Sequence, residues 1–162
     1  MKNHYLVLLV IAFGFVACQN NTKSELTELN LLQYNIPLTV LAPDSAKVVS
    51  GTLSFSQDVT IKSPKDNYDV QIFAYDATTN NLAEVKAGHL AEVKSSAYFS
   101  KIIKEEDAGF IYETAFDSTS TNYGFKYLKL QGDKEYIFQT GLVGTFELAE
   151  VEWMYEAVKN EK

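Results

Sequence analysis

Tyr123-Gly-Phe-Lys-Tyr-Leu-Lys-Leu130, then Gly132-Asp133, then Glu135-Tyr-Ile-Phe-Gln-Thr140 is the stretch that decides the fold. Both flanks are rich in the aromatic and β-branched residues that suit strands, and Gly132-Asp133 is a two-residue hairpin turn. So short a turn joins antiparallel strands, because parallel ones need a long crossover. Phe110 to Phe116 precedes the pair as a third strand. Toward the N-terminus, Tyr34, Ile36, Leu38 and Val40 alternate with Asn35, Pro37 and Thr39, the period of a half-buried strand. Pro37 cannot donate to a ladder, which places that strand at an edge. After the turn Pro43-Asp44-Ser45, the runs Lys47 to Phe55, Gln57 to Ser63 and Tyr68 to Tyr75 read as strands. The polar turn Lys65-Asp66-Asn67 joins the last two.

Two segments change period. Asn80 to Ala97 gathers Leu82, Val85, Val93 and Ala97 on one helical face, with Leu90 at its margin. Thr145 is placed to cap a final helix, Phe146 to Lys159, whose Leu148, Val151, Tyr155 and Val158 make an apolar stripe. The expected class is α+β: an antiparallel meander sheet with one inserted helix and one C-terminal helix packed on it.

Hydrophobic residues make up 46% of the chain and aromatic ones 13%, which argues against disorder. Its 14 basic residues are all Lys, and the net charge is −7. Nucleic-acid recognition wants a basic patch with Arg forks, so no nucleic-acid partner is expected. Cys18 is the only cysteine, so no internal disulfide forms in any compartment.

Cys18 closes an apolar run, Tyr5 to Ala17, headed by Lys2. The run is well short of the roughly 20 residues that span a bilayer, and reads as a processed signal. Phe15-Val16-Ala17-Cys18 resembles the lipobox of bacterial lipoproteins, with Phe15 where the motif usually carries Leu. The resemblance implies a signal peptide at 1–17, acylation of Cys18, and a lipid anchor of more than one acyl chain holding the protein to a membrane. Gln19 stands where an Asp would retain some lipoproteins in the inner membrane. The expectation is therefore outer-membrane anchoring facing the periplasm, or alternatively the cell surface. Loss of Lys2 with the signal takes the net charge from −7 to −8, so the acidic body is expected to stand off an anionic bilayer. Residues 18–33 read as lipidated Cys and tether, with Thr22-Lys23-Ser24-Glu25 as a weak capping box ahead of Leu26 and Leu29. Residues 34–162 read as a single α+β domain.

The order of elements also resembles the PsbP-like fold. The matching parts are the early strand Tyr34 to Leu41, the helix after Tyr75 and the closing helix after Gly144. Members of that fold mostly act as assembly or binding factors, which is an analogy of fold alone.

Site chemistry is sparse. After the signal, His89 is the one histidine, with no Arg and no free thiol beside it. A Ser-His-Asp set has a single possible base, and one His cannot complete a structural zinc site. His89 lies on the first helix's apolar stripe between Val85 and Val93. It reads as a boundary histidine bonded to a backbone carbonyl, with Glu84 and Glu92 directed elsewhere. Glu105-Glu106-Asp107 and Asp66-Asn67-Tyr68-Asp69 do not follow the calcium-loop pattern, and no metal or cofactor is expected. Gly141-Leu142-Val143-Gly144-Thr145 reads as a plain strand-to-helix turn. Phe110, Tyr112 and Phe116 share one strand parity, and Tyr123, Phe125 and Tyr127 share another. Side by side, these rows would make one aromatic sheet face, covered by the helices as core or open to a ligand. On the closing helix, Leu148, Val151, Met154, Tyr155 and Val158 share the side expected to face the sheet. Trp153 lies opposite with Phe146, Ala149 and Ala157, partly outside the core, and is a possible contact for a partner.

These residues point to a non-catalytic, lipid-anchored envelope protein that binds or helps assemble an unknown envelope protein partner. The alternative is a carrier of a small apolar ligand or glycan in a sheet-helix pocket. An enzyme working with carboxylates alone is the third reading.

Overall fold

The computed structural model describes residues 23–53, 56–116 and 120–160. Cys18 and the lipobox lie outside the described residues. The fold is α+β, dominated by antiparallel sheet. In chain order the strands are β1 (Leu26–Asn30), β2 (Thr39–Pro43), β3 (Lys47–Leu53), β4 (Ser56–Ser63), β5 (Tyr68–Asp76), β6 (Phe99–Glu106), β7 (Gly109–Ala115), β8 (Thr121–Gln131) and β9 (Lys134–Thr140). Helix α1 (Leu82–Lys94) follows β5, and α2 (Leu148–Lys159) follows β9. A seven-stranded sheet runs β3-β4-β5-β9-β8-β7-β6, with β1 and β2 pairing as a separate ribbon. Two meanders thus meet where β5 pairs with β9, and α1 carries the chain to the far edge.

Register decides which residues share a face, because directly opposed residues project to the same side. Ile72 opposes Phe138, Phe138 opposes Tyr127, and Phe125 opposes Ile111. These join Val59, Ile61, Met154, Tyr155 and Val158 in the main core beneath α2 and the β1–β2 ribbon. Leu128 opposes Ile137 on the other face, where Val85 of α1 packs on both. The sheet is therefore covered on both sides, but α1 covers only part of its face.

Several elements depart from the sequence expectation. Leu26–Asn30 is a strand rather than a helix start, paired with Thr39–Pro43. A partner strand supplies its backbone hydrogen bonds, which outweighs a weak capping signal. This segment and the fully buried Leu31 belong to the packed body, not to a loose tether. The expected strand at Tyr34 to Val40 starts only at Thr39, because Leu32–Tyr34 is a 3-10 turn closed by Asn35 in the left-handed region. Helix α2 is capped by Glu147, not Thr145. Glu147 and Glu150 form a reciprocal capping box, and Phe146 is buried ahead of the helix in the same core as Val151. That pair sits at the positions of a hydrophobic staple. The two aromatic rows lie on opposite faces, since Tyr112 opposes Gly124 while Phe125 opposes Ile111.

Candidate binding site

On the face that carries α1, the row beyond the helix is unusual for its lack of side chains. Lys126 opposes Gln139, and two residues further in the same direction come Gly124 on β8 and Gly141 after β9. The two glycines leave a gap, and a neighbour leans over each. The Tyr112 ring crosses Gly124, where a Cβ would come within 2.7 Å of its hydroxyl oxygen and Cζ. The Asp69 carboxylate lies over Gly141, and a methyl there would overlap it. The two glycines line a notch of about 190 Å³ together with Tyr112, Thr114, Gln139 and Leu142, among others.

The polar groups in and around it are only partly committed; the Thr114 hydroxyl gives its proton to the Asn122 carbonyl at 3.2 Å and keeps its lone pairs for a ligand. Asn122 at the rim accepts from the Phe146 amide at 2.7 Å and donates to the Gly144 carbonyl at 3.4 Å, which fixes the loop that forms one wall. Asp69 Oδ2 pairs with Lys62 at 3.0 Å, whereas Oδ1 is buried with no hydrogen-bond partner among the described residues. The Gln139 side chain makes no hydrogen bond to another described residue and is half-buried. Burial, and then the negative charge of Glu92, push the Tyr112 phenol above its ordinary range. Its hydroxyl therefore keeps its proton.

A second, shallower cleft of about 310 Å³ lies along α1 between Thr79, Glu84, His89 and Glu135. Here His89 overturns the expectation of a backbone partner. Its Nδ1 is 3.2 Å from Glu92 Oε2 and its Nε2 is 3.1 Å from Glu135 Oε1. Glu92 lies three residues on, one turn away, and the sheet brings Glu135 from β9. Lys126, buried on the sheet, donates to Glu92 at 2.9 Å. That bond, opposed by burial and helped by His89, holds the Glu92 carboxyl below its usual range. Both imidazole nitrogens face carboxylates, so neither is left to activate a nucleophile.

The other residues singled out by sequence are tied into the framework. Glu105 pairs with Lys86, and Glu106 with Lys104 and Lys159. Glu106 also accepts from the buried Tyr155 hydroxyl at 3.1 Å. Its Lys104 and Lys159 partners outweigh burial and bring the Glu106 carboxyl down to about 2. Asp66 gathers Ser63, Ser45 and the Ser24 amide. Trp153 is half-buried, edge-on to Tyr68 at 5.4 Å, with Lys23 Nζ 4.7 Å above its ring. Tyr68 and Lys23 thus already occupy parts of its surface. The notch itself was not legible in the sequence. The available signals were Gly124 inside an aromatic strand and Gly141 directly after one, where glycine marks close approach of another group.

No family model, no curated protein and no solved structure matches this chain.

Proposed function

We propose that this protein is a lipid-anchored envelope protein that works by binding, and that its ligand site is the notch floored by Gly124 and Gly141. The observation that carries the reading is Gln139, which lines the notch with Tyr112 and Leu142 and whose amide makes no hydrogen bond to another described residue. An amide, the Thr114 hydroxyl and the edge of a tyrosine suit a ligand with both hydroxyl groups and an apolar face. A sugar ring has that chemistry. The volume supports a ligand of that size, since pockets for larger organic molecules run from about 300 to 1,000 Å³. It also favours a glycan over a lipid-like cargo. Support for binding rather than catalysis comes from His89, held between two carboxylates. The anchor rests on the lipobox-like Phe15-Val16-Ala17-Cys18.

Saturation-transfer NMR on the lipidated protein in detergent, against a panel of mono- and disaccharides, tests the site. Binding by at least one sugar, lost in Gln139→Leu with the circular dichroism spectrum unchanged, is the expected result. Binding that survives in Gln139→Leu, or silence across the panel, would overturn it. The anchor is tested separately: Cys18→Ser should abolish palmitate incorporation and leave unprocessed precursor.

A further inference from the structure

The strand ends distribute the surface unevenly. β9 runs into the loop 141–147 at the same end of the sheet where β8 begins, β7 stops and β6 starts. That end carries four of the large exposed hydrophobics: Leu142 at 78%, Val143 at 83%, Tyr98 at 52% and Phe116 at 57%. Tyr98 and Phe116 are in ring contact at 4.9 Å, and Leu142-Val143 forms a loop tip between Gly141 and Gly144.

The N-terminal segment enters at this same end. The Ser24 amide donates to Asp66 Oδ1 at 3.0 Å, and the adjacent Asn67 donates to the Thr145 carbonyl at 3.3 Å, two residues from Val143. Lys23 donates to the Ala149 carbonyl in the first turn of α2. Cys18 stands five residues before Lys23, so an acylated Cys18 lies within roughly 17 Å of it even with the chain fully stretched.

We infer that this apolar end is seated on the bilayer, with Leu142 and Val143 in the headgroup region beside the lipid on Cys18. The inference rests on the proposed lipidation. The short leash brings this end to the membrane. Exposed aliphatic and aromatic residues there gain by leaving water, as at other interfacial anchors. The acidity of the chain is divided between the two ends: Asp76, Asp133 and Glu105-Glu106-Asp107 stand at the opposite end of the sheet, while the exposed Asp44 and Glu147 and the buried Asp66 stand at the seated end. Lys23 and the exposed Lys65 lie at the seated end, where an anionic leaflet attracts them.

The test uses the lipidated protein, in which acylation of Cys18 leaves an introduced cysteine as the single thiol. Val143→Cys and, at the opposite end, Leu32→Cys each carry an NBD fluorophore. Both are reconstituted on phosphatidylethanolamine–phosphatidylglycerol vesicles. NBD at 143 should shift to the blue and be quenched by doxyl-labelled lipid, while NBD at 32 keeps its aqueous spectrum. If the protein incorporates palmitate and floats with the vesicles, yet both probes report water, the seating is wrong and the anchor stands. If it takes up no palmitate and does not float, the anchor fails and the seating falls with it.

Discussion

The Asp69 carboxylate occupies the space that a side chain at position 141 would need. Asp69 cannot swing away freely, because it is buried and paired with Lys62 at 3.0 Å. Gly141→Ala should therefore destabilise the protein by about 1–3 kcal/mol, the usual cost of forcing extra atoms into a packed site. Gly88, within α1, has open space around its Cα. Gly88→Ala should stabilise by about 0.5–1 kcal/mol through helix propensity alone. Urea denaturation of the two variants should give shifts of opposite sign. Equal shifts would mean the Asp69–Gly141 contact is not as described.

Asp66 provides a pH test. Burial disfavours its charge, but the Ser63 hydroxyl at 2.6 Å, the Ser24 amide and the Ser45 hydroxyl outweigh that and hold the carboxyl at about 2. A folded value below the ordinary 3.8 stabilises the native state at higher pH. That contribution is complete above pH 3.8 and is lost as pH falls toward 2, amounting to roughly 2 kcal/mol. Asp66→Asn should remove this part of the acid sensitivity, with the wild type and the variant converging in stability near pH 2. An unchanged pH profile in the variant would refute the assignment.

The sheet was legible because its signals are local. Gly132 adopts a φ of +63° in the hairpin turn that the sequence announces, and alternation marks β7, β8 and β9. β6 is hidden in the sequence for a physical reason. Its pairing with β7 slips between Phe99 and Lys101 and again between Ile102 and Lys104, and such bulges destroy the two-residue period. Ile102 and Ile103 then fall side by side in a charged segment and read as neither strand nor helix. The candidate site depends on which residues of distant strands meet. Pairing Tyr112 with Gly124, and aligning Gly141 with Asp69, are matters of register, which the sequence of one strand cannot specify alone. The His89 pair with Glu135 is hidden for the same reason.

Lys126 and Glu92 make the next contrast. Lys126 is buried on the sheet and depends on Glu92, whose own side chain is largely exposed. Glu92→Ala leaves the ammonium beside His89 without its carboxylate and should cost about 1–3 kcal/mol. Lys126→Met removes the buried charge together with its need for a partner. It should be close to neutral, as replacement of buried ion-pair members by apolar residues often is. Thermal denaturation of the two single variants separates the cases. A Lys126→Met variant that loses as much as Glu92→Ala would show that the ion pair itself, rather than the stranded charge, sets the stability.

Leu31 and Leu32 are adjacent in sequence and opposite in environment. Leu31 is 0% exposed in the main core, with its amide donating to Leu38 O at 2.9 Å, while Leu32 is 62% exposed. If the packed body begins before residue 34, Leu31→Ala opens a cavity and should cost about 2–5 kcal/mol. Leu32→Ala should stay within about 0.5 kcal/mol of wild type. Guanidinium midpoints of the two variants provide the comparison. A Leu31→Ala variant as stable as Leu32→Ala would return this segment to the status of a tether and detach the β1–β2 ribbon from the core. A large loss at Leu31 alone would mean that the free leash from Cys18 is only the few residues before Lys23, the length on which the membrane seating depends.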